Sequence, residues 1–133
     1  MSDLYRELIL DHWRNPRHAA PLTKPTVIGE IANESCGDSA RVELLFDDDV
    51  IRDVSIQISG CALATAAGSI LAERITGQPL SVTTNIDEAM MLSWLGGIDP
   101  ATSRRRCATL ALEAVRTILA AYPIPFETPS VEG

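Results

Sequence analysis

Two stretches of alternating hydrophobicity flank a run of three aspartates, and no other part of the chain restricts its fold so tightly. In Arg41–Phe46 the residues Val42, Leu44 and Phe46 share one face. In Val50–Ile58 the residues Val54, Ile56 and Ile58 share one face, with Ser55 and Gln57 on the other. A period of two belongs to half-buried strands. Asp47-Asp48-Asp49 between them is a polar turn, so the spacing predicts an antiparallel hairpin. No further oxygen ligands cluster near this turn in sequence, so it reads as a turn and not as a metal site. Val27–Ala32 is a third and weaker strand, interrupted by Gly29.

Directly after Gly60-Cys61 the period lengthens. Leu63, Ala66, Ala67, Ile70 and Leu71 share a helical face, and the segment ends near Thr76-Gly77. Gln78–Thr84, which contains Pro79, reads as a loop. A further helix is predicted over Ile86–Leu95, with Asn85 as its cap, Asp87 and Glu88 in its first turn and Gly96 at its end. The last helix starts between Pro100 and Arg106 and runs to about Tyr122, with Cys107, Leu110, Ala111, Ala114, Val115, Ile118 and Leu119 at helical spacing. At the other end, Asp3–Trp13 reads as a short amphipathic helix capped by Ser2. Asn15-Pro16-Arg17 stops it, because proline disfavours helical backbone in the residue before it. Pro21 and Pro25 make the following stretch a loop. Strands first and helices after give an α+β fold: a small antiparallel three-stranded sheet covered by helices. Residues 1–122 form one domain, and 123–133 form a loosely ordered tail containing prolines.

The hairpin has a chemical consequence. Residues opposed across an antiparallel pair point to one face. Matching the two apolar faces about a turn centred on Asp48 or Asp49 sets Cys36 opposite residue 60 or 62, next to Cys61. The same register sets Asp38 opposite residue 58 or 60. Cys36, Asp38 and Cys61 therefore meet at one sheet edge. Cys61 also precedes a helix, whose free N–H groups favour a thiolate. Gly37 and Gly60 remove side-chain bulk where a metal or reaction partner needs room. Cys107 follows Arg104-Arg105-Arg106, cations that favour a thiolate too. The thiolate is both nucleophile and metal ligand. The plainer alternative is that each cysteine is a small core residue, and on periodicity alone Cys107 fits it.

Composition narrows the field. The chain has 133 residues, a length suited to one domain with its own core. Its 18 acidic residues exceed its 11 basic ones, for a net charge of −7, which argues against nucleic acid as a partner. No run of about 18 apolar residues is present, so no membrane span is expected. The first residues carry Asp3, Glu7 and Asp11 and do not read as a secretory signal. Three cysteines are too few for a disulfide scaffold and suit a reducing, cytoplasmic setting. Of the two histidines, His12 fits the buried face of the first helix and reads as structural, while nothing places His18 at the site. Met90, Met91 and Trp94 read as packing.

Asn15-Pro16-Arg17, Ser35-Cys36-Gly37-Asp38, Gly60-Cys61-Ala62 and Arg106-Cys107-Ala108-Thr109-Leu110 together resemble the IscU/SufU/NifU N-terminal-domain family of iron–sulfur cluster assembly scaffolds. The resemblance spans roughly residues 3–122. It implies that Cys36, Cys61 and Cys107 receive sulfur from a cysteine desulfurase and, with Asp38, hold a transient [2Fe–2S] cluster destined for apo acceptor proteins. It also implies Zn2+ as an alternative occupant, since soft thiolates suit zinc or iron–sulfur clusters and one harder ligand permits exchange. Scaffolds of the IscU type carry a histidine before the third cysteine, within a Leu-Pro-Pro-Val-Lys segment read by a dedicated Hsp70. Here Arg106 stands in that place and the motif is absent, which argues against an Hsp70 partner. The arginine is closer to the SufU type, a zinc-dependent sulfurtransferase that activates its desulfurase. The SufU type usually has an insertion before the third cysteine that this chain lacks. Scaffold and sulfurtransferase thus remain open, the first a carrier and the second an enzyme.

Overall fold

A computed structural model describes residues 3–33, 37–97 and 104–121. Ser2, Cys36 and the expected tail over 123–133 lie outside the described residues. The chain runs α1 (Asp3–Arg14), β1 (Val27–Asn33), β2 (Asp38–Asp47), β3 (Val50–Ser59), α2 (Ala62–Ile75), α3 (Leu80–Thr84), α4 (Glu88–Trp94) and α5 (Arg104–Ala121). The three strands form one antiparallel sheet in the order β1-β2-β3.

The hairpin pairs Ala40 with Ile58, Val42 with Ile56 and Leu44 with Val54, as alternation requires. Near the turn the register slips between Leu45 and Phe46, because Phe46 pairs with Ile51 and Arg52 is the extra residue of a bulge. The slip buries Ile51 in the core. Asp48 takes a positive φ of 57°, which aspartate tolerates in a tight turn.

The even-numbered face of β2 and β3 packs beneath the helices. Val42, Leu44, Val54 and Ile56 meet Leu71, Ile75, Leu110 and Val115 in one continuous core. α2 lies on β3 and against α5, α5 lies on β1 and β2, and α1 packs on α2. Glycine in β1 makes the α5 contact possible: a Cβ at Gly29 would stand 2.3 Å from Ile118 Cγ1. The interruption read in that strand is thus the seat of a helix, a common reason for glycine in a strand.

The sheet's other face is not simply solvated. Glu43 is buried there and its Oε1 accepts from the Leu22 backbone N–H at 2.8 Å, while Oε2 pairs with Arg41 at 2.9 Å. The proline-punctuated loop after α1 therefore roofs part of this face. Hydrogen bonding to the Leu22 N–H, ahead of the Arg41 contact, holds the Glu43 carboxyl below its ordinary range.

Two helix boundaries differ from expectation. Leu80–Thr84 is a short helix and not a loop: Pro79 stands at its N-cap, where a missing N–H costs nothing, and Leu80 and Thr83 are buried. α4 is capped by Asp87, whose side chain accepts from the Met90 N–H, and not by Asn85, which ends α3. Gly96 follows α4 with φ 93°, the left-handed conformation that stops a helix. Met91 is fully buried and Trp94 packs against the core with the Arg74 guanidinium 4.5 Å from its ring centre, so both serve packing. No described helix is long and apolar enough to cross a membrane.

Candidate metal centre

A carboxylate oxygen of Asp38 and the sulfurs of Cys61 and Cys107 lie within 4.8 Å of one another. Three separate elements deliver them. Asp38 is the first residue of β2, Cys61 caps α2, and Cys107 lies in the first turn of α5. The register that pairs Ser39 with Ser59 brings Asp38 against Gly60, one of the two positions expected from the turn. Cys61 Sγ accepts from the Ala64 N–H at 3.5 Å, the usual role of an N-cap oxygen taken here by sulfur. Both cysteines stand at helix N-termini, Cys61 as the cap of α2 and Cys107 in the first turn of α5.

Asp38 is the telling member. It is only 7% exposed, and its Oδ2 is buried with no hydrogen-bond partner among the described residues. A buried carboxylate oxygen left unpaired is costly. A cation held between this carboxylate and the two sulfurs would offset that cost. Cys61 is exposed and Cys107 half-buried, so the cluster opens to solvent on its sulfur side. Zinc–sulfur bonds of about 2.3 Å put two sulfurs on one tetrahedral ion about 3.8 Å apart, which lies inside the 4.8 Å limit that bounds these donors. Donors of this kind suit zinc or iron. Cys36 lies outside the described residues, two positions before Asp38 in the chain.

Gly37 and Gly60 each also meet a local need of the backbone or of a neighbouring side chain. Gly37 has φ 77° and nothing within 4 Å of where a Cβ would sit, so its backbone conformation is what calls for glycine. Gly60 makes room for Asp38 itself. Arg105, the middle member of the arginine run, binds both carboxylate oxygens of Glu88 at 3.0 Å and ties the start of α5 to α4. Sequence reading had no signal for this pair beyond opposite charge. Arg106 is exposed. His18 does not join the cluster among the described residues. Its backbone oxygen accepts from the Ile56 N–H at 2.8 Å, along the free edge of β3. His12 is buried and hydrogen-bonds Ser69 of α2 at 2.7 Å, a structural role.

The model of the NifU-like N terminal domain family matches residues 4–126. The chain is 32% identical over 124 residues to the iron–sulfur cluster assembly scaffold protein IscU of Aquifex aeolicus, across 92% of this chain and 78% of that protein. It is 27% identical over 131 residues to the zinc-dependent sulfurtransferase SufU of Bacillus subtilis, across 86% of this chain and 88% of that one. Among solved structures, the N-terminal part of a nitrogen-fixing NifU-like protein from Brucella abortus superposes with a TM-score of 0.74 at 20% identity. That match covers 89% of this chain and 93% of the other, and it shows a common fold.

Proposed function

The chain belongs to the NifU-like N-terminal domain family, and from that premise we propose that it is a scaffold for iron–sulfur cluster assembly. Cys36, Asp38, Cys61 and Cys107 are the ligands, and a [2Fe–2S] cluster is the cargo. One observation carries the reading: the buried Asp38 carboxylate, one oxygen of which has no hydrogen-bond partner among the described residues, beside two cysteine sulfurs delivered by separate helices. Its partners are a cysteine desulfurase as sulfur source and apo proteins as acceptors, in a reducing cytoplasm that keeps the thiols available.

The chemistry follows from the thiolates. One of them attacks the outer sulfur of a persulfide on the donor. A new S–S bond forms, the donor's S–S bond breaks, and the donor cysteine leaves as thiolate. The exposed Cys61 is the better placed of the two described sulfurs for this attack. Asp38 supplies a harder oxygen ligand that lets the cluster leave more readily than an all-thiolate site would. Anaerobic loading with iron and sulfide is expected to give a visible chromophore, lost in Cys61→Ala and Cys107→Ala and longer-lived in Asp38→Ala. A wild-type chain that stays colourless under those conditions refutes the scaffold reading.

A second reading has its own support. Arg106 before Cys107 is the arrangement that resembles the SufU type, and the donor set suits zinc. A zinc-dependent sulfurtransferase would purify with bound zinc and accelerate its desulfurase. Absence of any rate effect by the zinc-loaded protein removes this alternative.

A further inference from the structure

We propose that Gly60 is a positioning residue for Asp38: having no side chain, it seats the carboxylate beside the sulfurs and so sets how firmly the centre grips its metal. The inference rests on the metal-centre reading given above. A Cβ at Gly60 would stand 2.5 Å from Asp38 Cγ, 2.7 Å from Oδ1 and 3.0 Å from Cβ. All three nearest atoms belong to this one side chain. Gly60 is not among the residues with positive φ, so the backbone there accepts an L side chain without strain. Glycine is therefore required by Asp38 and not by the turn into α2.

The carboxylate has little freedom to yield. Asp38 is a short side chain, 7% exposed, and its Oδ2 is already buried. A methyl group at position 60 must swing it away from its present place, and with it the oxygen that lies within 4.8 Å of both sulfurs. Ligand sets tolerate displacements of only about 0.5 Å before binding suffers. Gly60→Ala should thus act as a selective lever on one ligand while leaving both thiols intact. Truncating Asp38 to alanine leaves a single methyl near 3.0 Å, which a few tenths of an ångström of movement relieves.

Cobalt(II) is the probe, because its visible bands report the ligand set and a chelator competition reports affinity. The full chain is titrated anaerobically as wild type, Gly60→Ala, Asp38→Ala and the double variant. Gly60→Ala is expected to bind cobalt about 10- to 100-fold more weakly, the usual cost of disturbing what holds a ligand in place. It should keep the sulfur-to-cobalt bands, and its ligand-field bands should match those of Asp38→Ala. The double variant should bind no more weakly than Asp38→Ala alone. Wild-type affinity and spectrum in Gly60→Ala, or additive losses in the double variant, overturn the proposal. Should Gly60→Ala fail to fold, recovery of folding in the double variant assigns the clash to Asp38, and continued unfolding overturns it. Wild-type protein that takes up no cobalt refutes the metal centre itself, a result distinct from any change confined to the Gly60 variant.

Discussion

Ser69→Ala tests how the first helix is held to α2, the helix whose cap is Cys61. The Ser69 hydroxyl accepts from the Arg17 backbone N–H at 2.8 Å and meets His12 Nδ1 at 2.7 Å. Either group can donate across the Ser69–His12 contact, according to the imidazole tautomer. The other ring nitrogen, Nε2, stands 3.6 Å from Glu73 Oε1. Ser69 and His12 are both buried. Alanine at 69 leaves Nδ1 and the Arg17 N–H without partners. Each buried group so orphaned costs about 1–3 kcal/mol, with the half-buried Arg17 amide toward the lower end. The sum is about 2–4 kcal/mol, a large part of the roughly 5–15 kcal/mol a domain of this kind commands. Urea unfolding followed by circular dichroism should show the midpoint falling by about 1–2 M with the slope unchanged. A loss below about 1 kcal/mol, typical of an exposed site, refutes the bonding scheme.

Two further outcomes follow from described contacts. Burial, the largest cause, holds His12 below its ordinary value of 6.5, so the unfolded chain binds the proton more readily than the folded one. Stability is therefore full above about pH 6.5 and declines as the pH falls from there toward the folded value. Urea midpoints between pH 7.5 and 5.5 should drop in the wild type and flatten in His12→Gln, whereas a rise on acidification contradicts the sign. At the other end of the core, Asp87→Ala should cost about 1 kcal/mol of unfolding free energy, most of it regained in Asp87→Asn, because the Asp87 Oδ1 to Met90 N–H bond at 2.8 Å is the cap of α4. An unchanged thermal midpoint argues against that cap.

What the sequence disclosed and withheld has a physical pattern. A strand repeats every two residues, so the faces of Val42–Phe46 and Val54–Ile58 and the place of Asp38 beside Gly60 follow by counting through a short turn. Counting fails at Arg52, since a bulge leaves no mark on alternation this brief. Cys107 was out of reach of counting altogether: it meets Cys61 because α5 packs on α2, and helix-to-helix docking has no short-range period. Only the family resemblance pointed there. Pro79 read as a breaker, although at an N-cap it starts a helix, and Asp87 took the cap of α4 two residues beyond Asn85. Glu43 sits on a face that alternation marks as polar and exposed, yet the loop bearing Leu22 closes over it.

The contact between Gly29 and Ile118 reaches further than the packing it permits. Ile118 stands eleven positions along α5 from Cys107, about 16 Å at helical rise. The helix is a stiff rod, clamped near its start by Arg105 on Glu88 and resting near its far end on the bare backbone of β1. The tie to α4 and the bearing on β1 together fix the line of the rod that carries Cys107. A strand that holds none of the clustered donors thus takes part in setting where one of them stands.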